Sequence, residues 1–222
     1  MAKFKDLLSN PFLVWELAFE KLSKESQYAL LILATMGEQS TLNDWRIAYN
    51  NFCIMSLPIV FLSFDDNTWN KIVKVLHDCF IKTDKQNSII WATPYNASIR
   101  DYLINYLGQN QQTQQLLIKS AYFPEQITYA FTEEESYNYR LPGYFRHNYS
   151  AISKDNIECL LERFIYFINN EPQSCKLIKS FDGVRMQKFD KVIFIKQFYN
   201  SNDINLMELE YGSDEENIKE LW

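Results

Sequence analysis

The residues of this sequence that could make and break bonds are limited by their spacing rather than by their number. Runs of acids such as Asp65-Asp66 and Glu133-Glu134-Glu135 are close enough to suggest a metal site or acid–base work. Asp65-Asp66 precedes Asn67-Thr68 and a periodic apolar run, where a helix N-terminus favours negative charge, and that accounts for the pair. Glu133–Glu135 follows Thr132 and reads as a solvated helix start. The two histidines, His77 and His147, form no H-x-x-x-H pair and no triad signature with any serine. His77 shares a helical stretch with Val73 and Leu76, so it reads as a half-buried structural residue. Cys53, Cys79, Cys159 and Cys175 contain no C-x-x-C pair, and their apolar or helical surroundings suit buried reduced thiols better than zinc ligands. The sequence therefore predicts no catalytic residue, no metal site and no cofactor.

Nucleotide binding through a P-loop is excluded by glycine placement. Such a loop needs G-x-x-x-x-G-K-[ST], so that backbone N–H groups can wrap the phosphates. The five glycines, Gly37, Gly108, Gly143, Gly183 and Gly212, lie in no such pattern.

The elements that could position other functions are mostly helical. With 47% apolar and 16% aromatic residues in 222, the chain is ordered and can bury a substantial core. Only 5 Gly and 6 Pro favour helices over a loop-rich or all-β fold. The longest apolar runs, Ala29–Ala34 and Leu57–Leu62, are far too short to span a bilayer, and Met1–Leu8 is no signal peptide. The expectation is a cytoplasmic protein with no membrane partner. The net charge of −6 is carried by the tail Ser201–Trp222, which has seven acids against Lys219. Glu171–Asn200, just before it, has six bases against three acids. Such a tail folds back on the basic face, docks a partner, or is an ordinary solvated C-terminus.

Asn10 and Pro11 open a first helix, with Phe12, Trp15 and Phe19 on one face. Ser23 caps a second, in which Tyr28, Leu31, Ile32 and Thr35 line one side, and Gly37 stops it. Thr41 starts a third that runs to about Cys53 and pairs with the second as a helix-turn-helix. After the apolar segment Ile54–Phe64, Asp65 begins a fourth helix with Trp69, Ile72, Val73, Leu76 and Phe80 facing inward. Phe80–Thr83, a turn over Asp84–Asn87 and Ser88–Trp91 then read as a β-hairpin. Asn96 caps a further helix to Leu107, bounded by Gly108, and Ser98 with Asp101 has capping-box spacing.

The predicted fold is thus mainly α: a winged-helix domain with one β-hairpin over residues 1–107, a solenoid-like helical region over 108–200, and an acidic tail over 201–222. In the helical region Gln109–Gln115 presents an exposed Gln-rich face. Leu116–Tyr122, Pro124–Phe131, Lys154–Asn169, Pro172–Lys179 and Val184–Tyr199 are predicted helices. Lys154–Asn169 is apolar nearly all round and should be deeply packed.

Three stretches resemble a known arrangement. They are Asn10-Pro11-x-x-x-Trp15-Glu16-x-Ala18-Phe19 with Leu22-Ser23 and Leu30-Leu31; Trp91 with Asn96, Ala97, Ser98, Ile99, Asp101, Tyr102 and Leu103; and Leu116-Leu117-x-Lys119-Ser120-Ala121-x-Phe123 with Glu125-Gln126. Together they are similar to the region behind the nucleotide-binding domain of bacterial "novel STAND" P-loop NTPases, over roughly Leu7 to Phe131. Ala97 stands where that pattern has proline, and the P-loop domain itself is absent from this chain. The resemblance implies a winged helix followed by helical repeats, serving signalling or anti-phage defence. The partner it implies is an upstream NTPase domain or another protein.

Two surfaces could meet partners. The segment Tyr137–Tyr149 is dense in Tyr and Arg, and Tyr137, Tyr139, Arg140, Tyr144, Phe145 and Arg146 are of the types enriched in binding hot spots. The same aromatics would also fill a seam between modules. A winged helix also invites DNA. Asn43, Asn50 and Asn51 on the third helix could read bases, and Lys82 and Lys85 on the hairpin could meet phosphate. Thr41–Phe52, however, has only Arg46 against Asp44, which favours protein contacts over a free-standing DNA-binding regulator.

Overall fold

The computed structural model describes residues 11–37, 39–57, 59–128, 131–132, 150–151, 154–170, 177–180 and 183–186. Helix α1 (Pro11–Glu20) starts at the proline whose fixed φ suits a first helical turn. Helix α2 (Lys24–Thr35) is capped by Ser23, whose Oγ accepts from the Ser26 N–H at 3.3 Å. It is followed by Gly37 at φ 99°, a conformation that favours glycine. Strand β1 (Ser40–Thr41) leads into α3 (Leu42–Met55), where Thr41 Oγ1 accepts from the Asp44 N–H at 3.0 Å. Helix α4 (Asp66–Leu76) is capped by Asp65 and runs into a hairpin of β2 (Ile81–Gln86) and β3 (Ile89–Pro94).

The sheet order is β1-β3-β2, with both pairings antiparallel; Thr41 faces Trp91 and Thr83 faces Ala92. Helix, short strand, two helices and a hairpin in this order make a winged helix, and the fold is mainly α. The wing is longer and its turn tighter than predicted. Only Asn87 and Ser88 lie between the strands, at φ 48° and 68°. Two successive positive φ values match the strand twist, and asparagine tolerates the first of them.

The short strand β1 corrects the expected helix-turn-helix. Ser40–Thr41 occupies what was read as the turn and pairs with the second strand of the hairpin, the central strand of the sheet. The pair that supports the wing is therefore α3 and α4, and the helix in the groove-reading position is Asp66–Leu76, not Thr41–Phe52.

Packing centres on α2. Every residue from Ala29 to Ala34 is at most 2% exposed, so the helix is covered on all sides rather than along one stripe. Helices α3 and α4 surround it with α5 (Ala97–Gln109) and the short α7 (Glu125–Thr128), while α1 packs on α5 and meets α2 at its end through Phe19. On the α3–α4 side, Trp69 is wedged between Trp45, 4.9 Å away edge to face, and Tyr49 at 5.6 Å. On the α1 side, Phe12 and Phe19 pack on Tyr102, and the half-buried Trp15 meets Phe80.

Beyond α5 the structure departs further from the sequence reading. Gly108 lies inside α5 rather than ending it, and α6 (Gln111–Lys119) follows after the single residue Asn110. Asn110 is held there by its own Nδ2, which donates to the Tyr106 carbonyl at 2.7 Å. The Gln-rich face is only partly exposed, because Gln114 is fully buried and its Oε1 accepts from Asn156 Nδ2 at 2.9 Å. Phe131–Thr132 (β4) is not helical and pairs in parallel with β5 (Ser150–Ala151).

Helix α8 (Lys154–Asn170) buries Cys159, Leu160, Phe164 and Phe167 but leaves Ile165 and Tyr166 exposed, so it is amphipathic. Where two helices were predicted, β6 (Leu177–Ser180) and β7 (Gly183–Met186) form an antiparallel pair. Ile178 and Val184 are β-branched and Gly183 is a poor helix former, which favours the ladder. The buried cluster is continuous from Phe19 to Phe167, across residue 107.

Trp69→Ala removes the ring shared by Trp45 and Tyr49. It is expected to lower the unfolding free energy by about 3–5 kcal/mol, as read from urea denaturation. A loss under about 1 kcal/mol would place that ring outside the core.

Candidate functional site

The residues of the resemblance motifs meet in space. Asn96 caps α5, with its Oδ1 accepting from the Ile99 N–H at 3.1 Å. Ser98 Oγ donates to the same Oδ1 at 2.7 Å and accepts from Trp15 Nε1 at 3.0 Å. A hydrogen-bonded line thus runs from α1 to the start of α5. Asp101 takes no part in it, and the expected capping box does not form, because Asn96 rather than Ser98 is the cap. These residues join two helices.

The outer face of α4 with the wing is the part of the winged helix that faces outward. A cleft of about 420 Å³ opens between the start of α3 and α4. Leu42, Trp69 and Val73 form its floor, and Asn70, Lys74, His77 and Asp78 its rim. Asn67 and Lys71 are also exposed on α4, and Lys82 and Lys85 on the wing. Arg46 is paired with Asp66. Over this surface Arg46, Lys71, Lys74, Lys82 and Lys85 are balanced by Asp44, Asp65, Asp66, Asp78 and Asp84, so it is polar without net charge. Asn43, Asn50 and Asn51 lie on α3 instead, and Asn51 Nδ2 donates to the Ser120 carbonyl at 2.7 Å. Asn51 is thus tied to the end of α6.

At the edge of the cleft, His77 sits between two partners. Its Nδ1 is 2.9 Å from Asp78 Oδ2, and its Nε2 is 3.1 Å from Thr83 Oγ1. Carboxylate, imidazole and hydroxyl in line is the order of a nucleophilic relay. Here the carboxylate side chain is 79% exposed and the imidazole 40%. Water competes at both, and the arrangement acts as a brace between the end of α4 and the first strand of the wing. Sequence reading placed His77 as half-buried, as it is, but missed Thr83. The partner lies across the turn and carries no periodic signal.

The cysteines divide. Cys53 and Cys159 are buried, and burial pushes the Cys53 thiol up to about 11. Cys79 is exposed, contrary to expectation, because it falls in the turn after α4. Cys175 lies outside the described residues. So do Glu133–Glu135, His147, the acidic tail, and the candidate partner residues Tyr137, Tyr139, Arg140, Tyr144, Phe145 and Arg146. Among the described residues there is no cluster of His, Cys, Asp and Glu able to hold a metal ion, and no helix long and apolar enough to cross a membrane.

The apolar segment Ile54–Phe64 turns out to be largely surface. The connection between α3 and α4 exposes Leu57, Ile59, Phe61 and Phe64, continuing the exposed Ile54 and Met55 at the end of α3. No family model, curated protein or solved structure matches the chain.

Asp65 is held below the usual carboxylate range, chiefly by the hydroxyl of Thr68, then by the N–H groups of Thr68 and Asn67. A carboxylate with a depressed folded pKa contributes stability above its unfolded value, and that contribution is lost as pH falls through the folded value. Asp65→Asn keeps a cap acceptor that cannot titrate. Below about pH 5 its unfolding free energy should therefore fall less steeply than that of the wild type, in urea titrations at stepped pH. Equal slopes would mean the cap carboxylate is not coupled to folding.

Proposed function

We propose that this chain is a non-catalytic regulatory and recognition module that works through protein–protein contacts in the cytoplasm. It would be of the kind that lies behind the nucleotide-binding domain of STAND-type NTPases in signalling or anti-phage defence. The observation that carries the reading is the two-sidedness of α1. One side packs Phe19 and Trp15 on the body of the winged helix, with Trp15 bonded to Ser98. The other turns Val14 and Leu17 outward, 41% and 47% exposed and one helical turn apart. A helix docked on one side and apolar on the other is suited to passing a neighbour's movement into the winged helix, through a switch between two packed positions.

The test is co-purification with a P-loop ATPase encoded in the same transcription unit, followed by ATP turnover with and without the chain. The chain should change turnover by about five-fold or more. Val14→Glu combined with Leu17→Glu should remove the change while leaving the melting temperature in place. A neighbouring ATPase that neither binds nor responds would end the proposal.

The second reading is DNA binding, favoured by the position of α4 before the wing with Asn67, Asn70, Lys71 and Lys74 outward. The balanced charge of that surface counts against it, since phosphate contacts supply most of such affinity. In gel-shift titrations a reader would bind at low salt, lose affinity steeply as salt rises, and fail with Lys71→Glu and Lys74→Glu together. We expect no shift.

A further inference from the structure

The eighteen residues from Ile47 to Phe64 include no Asp, Glu, Lys or Arg. Within them Ile54, Met55, Leu57, Ile59, Phe61 and Phe64 are 42–78% exposed, Phe61 most of all. At about 150–250 Å² for a large side chain, these fractions leave on the order of 600 Å² of apolar surface in one stretch of chain. That reaches the upper end of the largest patch on a typical monomer, about 300–600 Å².

The stretch is also anchored so that its outward residues cannot turn in. The Ser56 carbonyl holds the Ile59 and Val60 N–H groups in a turn, and past it Leu62 is buried while Phe61 and Ser63 on either side are exposed, the alternation of extended chain. Tyr49 fixes the segment from below, its hydroxyl donating to the Ser63 carbonyl at 2.9 Å. Among the described residues, the backbones of Phe61 and Leu62 take part in no backbone hydrogen bond. An alternating segment with free backbone groups is an open edge, ready to pair with another strand.

The occupant must be apolar, must offer a strand, and must need no charge in return. Nucleic acid and anionic membrane both require bases, and this stretch has none. A charged peptide would lose solvation with nothing to compensate it. The same segment of a second copy meets all three conditions. Doubling about 600 Å² gives about 1,200 Å², the lower bound for a specific interface. We propose that the chain forms a two-fold symmetric homodimer by antiparallel pairing of the extended chain at Phe61–Phe64 with the same segment of a second copy, Phe61 packing across the interface. The proposal is independent of the role given to α1.

The experiment is light scattering and sedimentation equilibrium on the full chain. The concentration range is about 1–200 µM, where a small interface of this kind dissociates. The wild type should pass from 26.4 kDa to twice that mass across the range. Phe61→Asp should stay monomeric throughout with an unchanged circular dichroism spectrum, and Val75→Asp, at an exposed site on α4, should still dimerise. In a Cys79→Ser background, Phe61→Cys should form an intermolecular disulfide on mild oxidation. A wild type that stays monomeric over the whole range would overturn the proposal, including one that instead binds neutral phosphatidylcholine vesicles. So would a Phe61→Asp variant that dimerises like the wild type.

Discussion

A helix with no solvent face has to be surrounded, and α2 is such a helix. From Ala29 to Ala34 it offers only apolar side chains, on every side. Other helices must cover each of them, because apolar area removed from water is the main favourable term in folding. Its few polar groups are satisfied by the elements that cover it. Trp45 Nε1 donates to the Ala29 carbonyl at 2.8 Å, and Gln27 Nε2 donates to the Phe19 carbonyl at 2.9 Å. Gln126 Nε2 reaches Thr35 Oγ1 at 3.4 Å while its Oε1 accepts from the Tyr122 and Phe123 N–H groups. Each bond also sets where a covering helix sits. The orientation of α3, the end of α1 and the placement of α7 follow from the demand of one helix to be buried without loss.

The line from Trp15 through Ser98 to Asn96 belongs to the same logic. An indole N–H at the edge of a core needs an acceptor, and the hydroxyl at the start of α5 supplies one while itself donating to the cap. The residues that resemble a family motif are thus explained by packing in this chain. A motif that joins two helices can recur wherever those helices must be joined. It therefore speaks to architecture more directly than to the partner served.

What could be read from the sequence was local. Ser23, Thr41, Asp65 and Asn96 were legible as caps because a cap bond closes within three residues of its own side chain. The wing was legible from β-formers around a polar turn, although its two-residue Asn87-Ser88 turn was read as four. Strand β1 was not legible: two residues carry no period, and its partner comes some fifty residues later in the chain. Gln114 was misread as solvent-facing because its partner, Asn156, comes from a different helix. The β6–β7 pair was misread because short apolar runs fit a helix and a strand equally well until pairing decides. The exposed stretch around Phe61 was seen as apolar, but nothing in the order of residues said that Leu62 would take the inside place. Of the motif residues, Asn96 was legible as a cap, while the bond between Ser98 and Trp15 was not, because it joins positions 83 residues apart.

Asn110 is the whole connection between α5 and α6, a single residue at φ −121°, ψ 78° pinned to the Tyr106 carbonyl. A joint with one pair of torsions has no slack. Because α8 is tied to α6 through Gln114 and Asn156, and the end of α6 to α3 through Asn51, a tilt of the C-terminal helices would bear on that asparagine and on α3 together. On its far side lies α5, whose first turn carries the bond to Trp15. The short joint and that bond place the C-terminal helices and α1 at the two ends of the same helix.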